Sequence, residues 1–184
     1  MILAIDAGNI ESGYALIDND FRPVRFGKVT NREMEYILNE YLANDEKLDM
    51  IALEMVASYG MPAGATLFDT CVAIGRFEYI AEQIAPVRRV KRKQYVTDLC
   101  GDSKAKDANV IQYLIDRFAP NTPNRGKGTK KERGWFYGFK ADEWQAYALA
   151  VWALDEKRYE DNYIQNVQNI FNSIRERNNG TSEN

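Results

Sequence analysis

The opening of the chain sets its pattern. Ile2, Leu3, Ala4 and Ile5 form an unbroken apolar run, which reads as a strand buried on both faces and ends on one carboxylate, Asp6. Gly8 and Gly13 let the backbone turn, and Tyr14-Ala-Leu-Ile17 reads as a second strand returning beside the first. Arg22 to Val29 alternates in part and supplies a third, making an antiparallel meander. Thr30 then offers an N-cap with Glu33 at the capping-box position, and Met34, Ile37, Leu38 and Tyr41 recur at helical spacing, predicting a helix to about Ala43. A fourth strand, Asp49 to Met55, repeats the first: an apolar run with one acid near its end, Glu54. Because a helix leads to it, it is expected to run parallel to a strand already in the sheet.

Residues 56 to 63 are loop-like, with Gly60 and Pro62. Ala65 to Ile84 predicts a long helix whose stripe includes Leu67, Cys71, Ile74, Phe77, Glu78 and Ala81, with Ala73 and Gly75 small enough for close packing on the sheet. Pro86 to Val90 reads as a fifth strand, and Ser103 as the cap of a helix burying Val110, Leu114, Ile115 and Phe118. Pro120 to Phe139, with two prolines and four glycines, predicts a loop, and one of that length inside a compact domain is usually functional or disordered. A helix from about Ala141 to Arg158 packs Trp144, Tyr147, Ala148, Val151 and Trp152, and a more polar helix with Ile164, Val167, Phe171 and Ile174 follows. The expected fold is α/β: a mixed five-stranded sheet, three strands antiparallel and then two parallel, flanked by helices. The expected organisation is one domain over 1–158, a helical extension over 159–177 and a disordered tail over 178–184.

Composition narrows the chemistry. At 184 residues and 45% hydrophobic the chain suits one proper core, and no apolar run approaches the roughly 20 residues needed to span a bilayer. No basic leader precedes the first strand, so a cytosolic protein is expected. Cys71 and Cys100 match no zinc or redox spacing and are expected to be reduced core residues. Histidine is absent, which excludes serine-histidine and cysteine-histidine triads and every histidine metal site. The net charge of −3 conceals a basic segment: residues 86 to 140 hold 14 Lys and Arg against 5 Asp and Glu. Arg88, Arg89, Lys91, Arg92, Lys93, Lys104, Lys106, Lys127, Lys130 and Lys131 are the candidates for phosphate contacts, with a solvated charged face as the alternative.

A buried, unpaired Asp6 costs several kcal/mol, so it needs a metal, a cation or backbone N–H groups. The inferred strand order sets the first and fourth strands about 4.8 Å apart, so Asp6 and Glu54 converge, and Asp142 at the start of the last core helix can close a cluster of three carboxylates. Such a cluster repels itself without divalent metal, and two Mg²⁺ ions about 4 Å apart are its usual complement in phosphodiester cleavage. Each acid also has a simpler role: Asp6 as cap of the glycine turn, Glu54 as partner of a base, Asp142 as a helix N-terminal acid. Their joint placement argues for a site.

Four stretches now acquire a common meaning. Ile2-Leu-Ala-Ile-Asp-Ala-Gly-Asn-Ile-Glu-Ser-Gly-Tyr14, Ile51-Ala-Leu-Glu54, Val90-Lys-Arg-Lys93 leading to Gly101 and Lys104, and Lys140-Ala-Asp-Glu-Trp-Gln-Ala-Tyr-Ala-Leu-Ala150 together resemble the RuvC family of Holliday-junction resolvases. That family lies within the ribonuclease H-like superfamily, and the chain is most similar to its compact phage-encoded versions. The resemblance spans residues 1 to about 158. It implies a Mg²⁺-dependent endonuclease of DNA recombination and repair that acts as a homodimer on four-way junctions in a bacterial or phage-infected cytosol. Asp6, Glu54 and Asp142 would hold two Mg²⁺ ions, with Mn²⁺ able to substitute. The family usually carries a further acid where this chain has Gln145, so either three carboxylates suffice or Glu143 supplies the fourth. It also often places an aromatic wedge after the fourth strand, for which Tyr59 or Phe68 is the candidate, by stacking on an unpaired base. Either aromatic residue also suits plain packing. The other readings are a broader branched-DNA nuclease of the same fold, a single-lobe actin-like phosphate-binding protein, and a non-catalytic DNA-binding module.

Overall fold

The strands β1 (Ile2–Asp6), β2 (Glu11–Ile17), β3 (Pro23–Thr30), β4 (Met50–Met55) and β5 (Val87–Lys91) form one mixed sheet in the order β3-β2-β1-β4-β5. The first three pair antiparallel, while β4 runs parallel to both β1 and β5, as the patterning predicts. In the computed structural model the described residues are 1–44, 47–57, 60, 64–140 and 142–180, the last five by backbone alone. The helices are α1 (Asn31–Ala43), α2 (Ala65–Ala81), α3 (Arg92–Cys100), α4 (Asp107–Phe118) and α5 (Glu143–Gly180).

The apolar run of β1 follows from its central position. Leu3, Ile5, Ile51 and Leu53 pack with Met34, Ile37 and Leu38 of α1 and with Ile74 and Phe77 of α2. The residues alternating with them, Ile2, Ala4 and Ala52, point to the other face and are just as completely buried. The capping box forms as expected: Glu33 N donates to Thr30 Oγ1 at 3.2 Å, and Thr30 N donates to Glu33 Oε2 at 2.8 Å.

Four local expectations are corrected. Helix α3 is an additional element; it starts without a side-chain cap, buries Tyr95, Val96 and Leu99, and ends on Gly101 at φ 71°. Helix α4 begins at Asp107, because Ser103 lies in a preceding turn in which Lys104 N donates to Asp102 Oδ1 at 2.8 Å. On α2 the buried residues are Thr70, Ala73, Ile74, Phe77 and Ala81, so Cys71 is exposed, Cys100 is half-buried, and Gly75 faces open space rather than the sheet. That helix is apolar nearly all round, so periodicity did not distinguish its inner face. The two helices expected after residue 141 are one element, α5, since no glycine or proline interrupts the polar stretch after Leu154.

The chain divides into two compact units, Met1–Ala153 and a second beginning at Leu154. The second is helical as far as Gly180 and exposes Tyr159, Tyr163, Ile164, Ile170, Phe171 and Ile174; residues 181–184 of the expected tail lie outside the described residues. No helix among the described residues is long and apolar enough to cross a membrane.

The long segment from Pro120 to Phe139 is structured. Phe136 and Phe139 are buried in an aromatic cluster, with ring centroids 4.5 Å from Trp144 and 4.4 Å from Phe26 respectively. Tyr147 ties it further, accepting from Trp135 Nε1 at 2.9 Å and donating to the Phe21 carbonyl at 2.8 Å. A short bridge between Gly128 and Arg133 then presents Lys130 and Lys131 at an exposed tip.

Candidate active site

Ile5 lies opposite Leu53 in the parallel pair, so Asp6 and Glu54 follow at the same end of β1 and β4. The antiparallel partner of Asp6 is Gly13. The turn between β1 and β2 is pinned by the fully buried Ser12: Gly8 N donates to its Oγ at 3.3 Å, and that hydroxyl donates to Asn31 Oδ1 at 2.8 Å. Asn31 Nδ2 completes the loop by donating to the Gly8 carbonyl at 3.0 Å. A side chain at Gly13 would place its Cβ 3.1 Å from the carbonyl oxygen of Asp142, so the start of α5 lies against β2 next to Asp6. Three separate elements therefore bring Asp6, Glu54 and Asp142 to one end of the sheet.

Each acid has a defined neighbour. Glu54 Oε2 accepts from the hydroxyl of the buried Tyr95 at 2.8 Å. Asp142 Oδ2 pairs with Lys28 Nζ at 2.9 Å, and the same ammonium reaches Glu11 at 3.1 Å. Glu143, only 7% exposed, accepts from the backbone N–H of Lys140 at 2.9 Å and so closes the entrance of α5. Arg92, the first residue of α3, donates through Nη1 to Tyr95 OH at 2.9 Å and to Gln145 Oε1 at 2.8 Å, and through Nη2 to Asp107 Oδ1 at 2.5 Å.

Burial dominates the electrostatics. It pushes the Glu54 carboxyl up to about 7, with the charge of Asp6 adding to the rise, while the Tyr95 hydrogen bond and Arg92 oppose it. Burial likewise raises Asp6; Arg92 and Lys28 oppose the rise, and Asp142 and Asp107 add to it. Asp107 is thus a fourth acid within electrostatic reach of the site. Two half-buried carboxylates whose charged forms burial disfavours, joined by two more acids, are hard oxygen donors that fit a hard divalent cation such as Mg²⁺. Among the described residues no three acids are closed around a common point; Arg92 and Lys28 answer their charge instead.

Arg92, expected at DNA, and Gln145, expected only as a missing acid, are thus part of the acid cluster. Lys28, Tyr95 and Asp107 carry no signal of this role in the sequence. Tyr95 was within reach of a helical reading, standing three residues after Arg92, but α3 itself was unpredicted. Of the wedge candidates, Phe68 is 60% exposed on α2 and Tyr59 lies outside the described residues. Of the basic residues, Lys91, Lys93, Lys104, Lys106, Lys130 and Lys131 are exposed, Arg88 and Lys127 are half-buried, and Arg89 is paired with Glu78. Arg92, Lys93, Ser103 and Lys104 line a cleft of about 310 Å³ with Val96 and Ala105. Arg92 belongs to both cleft and acid cluster, and so joins the two.

No family model matches the sequence, and no curated protein does. Two solved structures are similar in fold. RuvC of Thermus thermophilus superposes with a TM-score of 0.59 at 16% identity, over 85% of this chain and 95% of that one. T. thermophilus RuvC in complex with Holliday junction substrate superposes with a TM-score of 0.55 at 14% identity, over 86% and 96%. The mixed sheet with two parallel strands, the flanking helices and this coverage together make the fold of the chain the ribonuclease H-like fold seen in RuvC.

Proposed function

We propose that the chain is a divalent-metal-dependent, structure-specific endodeoxyribonuclease that resolves four-way DNA junctions by paired nicks, acting as a homodimer. The observation that carries this reading is the placement of Asp6, Glu54 and Asp142 at the same end of the sheet, with Arg92 joining them to a cleft lined by Lys93 and Lys104. A phosphodiester strand matches the basic wall, and its scissile phosphate would meet the acids where Arg92 joins the two. Tyr95 holds one oxygen of Glu54 and Lys28 one oxygen of Asp142, leaving the second oxygen of each for a ligand. Divalent ions held by these oxygens would supply an activated water and charge neutralisation at the leaving oxygen. The protein's own part is to orient the acids through Tyr95 and Lys28, and to seat the strand with the lysines of the cleft and of the 128–133 bridge.

The homodimer reading is supported by the outward face of α2. Phe68, Val72 and Tyr79 are exposed at helical spacing, and Gly75 between them leaves room for a close helix crossing. An isologous pair through this face gives two sites for two strands of like polarity.

Mapping nicks on a four-way junction with labelled strands, with and without Mg²⁺ and against linear duplex, tests the proposal alongside the solution mass. Paired, Mg²⁺-dependent, symmetry-related nicks by a dimer are expected. Equal nicking of linear duplex by a monomer would leave a metal nuclease and remove the resolvase. Junction binding without cleavage at any divalent ion concentration would make the chain a DNA-binding module.

A further inference from the structure

Arginines and aromatic rings meet at the end of the sheet away from the acids, where β2 turns into β3. Arg22 of that turn lies over Trp135, its guanidinium carbon 4.7 Å from the ring centroid. Arg133 lies over Tyr137 at 4.7 Å, and Arg117, near the end of α4, lies over Phe21 at 4.7 Å and Phe118 at 4.9 Å. The support is rigid. Phe118 stacks on Trp135 with centroids 5.2 Å apart, and the bond from Trp135 Nε1 to Tyr147 ties the indole to α5. Asp18 Oδ1 fixes the turn by accepting from the backbone N–H groups of Asp20 and Arg22 at 2.8 and 2.9 Å. Arg22 and Arg133 are nevertheless exposed.

Their partners decide what these cations can do. Arg117 is half-buried and donates to Tyr113 OH at 3.1 Å, so it braces the patch. Among the described residues the guanidiniums of Arg22 and Arg133 form no ion pair with an acid. Of the nearby acids, Asp18 is engaged in the turn and Asp116 accepts from Gln112 at 2.8 Å, which leaves Asp20 and Glu132. Residues 18–22 and 116–137 together hold seven Lys and Arg against four Asp and Glu, so the patch keeps a positive excess. A guanidinium laid on a ring turns its N–H edge outward, the geometry that takes a phosphate by two hydrogen bonds. The ring of Trp135, covered by Phe118 and by Arg22, has no face left for an unpaired base, which favours a duplex backbone over a single strand.

The strand sets the reach. Arg22 precedes Lys28 by six residues, about 20 Å along β3, and Lys28 is the residue paired with Asp142. At about 3.4 Å per phosphate of one strand, that span is roughly six steps of DNA. We propose that Arg22 and Arg133 form a second DNA contact, which takes the backbone of a duplex arm roughly six steps from the phosphate at the acids. This contact rests on the reading that the chain binds four-way junctions.

The test measures binding of the full-length protein to a four-way junction in EDTA, with arms longer than one helical turn. Neutral methylphosphonates replace the phosphates roughly four to eight steps out from the crossover. They should weaken binding by the wild type and leave the Arg22→Gln, Arg133→Gln double variant unmoved. On the unmodified junction the double variant should flatten the plot of log affinity against log salt by about 1.8, so that the wild type loses roughly tenfold more affinity between about 50 and 200 mM salt. An unchanged slope in the folded double variant overturns the proposal. So does wild-type binding that persists at full strength on the neutralised arms, a result that needs no variant and leaves the junction reading intact. Neither binding nor cleavage of the junction, in EDTA or in Mg²⁺, overturns that reading and the arm contact with it.

Discussion

Glu54→Gln should stabilise the metal-free protein at high pH while abolishing cleavage. The Glu54 carboxyl sits at about 7 in the folded protein against an ordinary 4.5, because burial and Asp6 disfavour its charged form. A carboxylate raised on folding contributes stability that is fully present below its unfolded value and is lost as pH rises through the folded one. The loss thus runs from about pH 4.5 to 7 and, at 1.36 kcal/mol per pH unit, reaches roughly 3 kcal/mol by pH 8. The opposing effect of Arg92 is already contained in the value of about 7. Glutamine removes the charge and keeps an oxygen to accept from Tyr95 OH, so little else changes. Urea unfolding in EDTA should show the variant near wild type at pH 5 and up to about 3 kcal/mol more stable at pH 8. Excess Mg²⁺ should stabilise the wild type at pH 8 and leave the variant nearly unmoved. A variant whose stability change is the same at both pH values, or that is less stable at pH 8, refutes the argument that burial strains this acid.

Asp6→Asn and Asp142→Asn should each lower junction cleavage by more than roughly 100-fold, beyond the range typical of partners outside the ligand shell, while gel-shift affinity for the junction persists. Glu143→Gln should cost less cleavage, because that carboxylate closes the entrance of α5 through Lys140 N; a loss equal to that of Asp6→Asn would place it among the ligands. Gly13→Ala pushes a Cβ to 3.1 Å from the Asp142 carbonyl, and should reduce the cleavage rate far more than the melting temperature. Neutralising both Lys130 and Lys131 should weaken binding to every DNA tested and flatten the plot of log affinity against log salt by about 0.9 per contact; an unchanged slope returns the 128–133 tip to solvent. Val72→Glu, on the exposed face of α2, should yield a monomer by sedimentation, and a dimer that survives it excludes that face as the contact.

Much of the sheet was legible in the sequence because its signals are local. The buried run Ile2 to Ile5 ending on Asp6, the matching run ending near Glu54, and the Thr30–Glu33 capping box each lie within a few residues, and each predicts the element that forms. The crossover through α1 then makes β4 parallel to β1, which by itself sets Asp6 and Glu54 at the same end of neighbouring strands. Helix α3 was not legible: Arg92 to Cys100 has a weak stripe and no N-terminal side-chain cap, and only contacts with distant elements, such as the bond from Trp152 to Asp98 at 2.7 Å, give it a place. The inner face of α2 was equally hidden, because apolar residues spread over most of its circumference leave little phase, and Cys71 and Gly75 fell outward. What tertiary structure alone decided was the company the acids keep. Arg92 meets Gln145 across 53 positions of sequence, Tyr95 meets Glu54 across 41, and Asp107 enters from a fourth element. Charge compensation inside a site depends on distance in space, and a linear pattern records distance only along the chain.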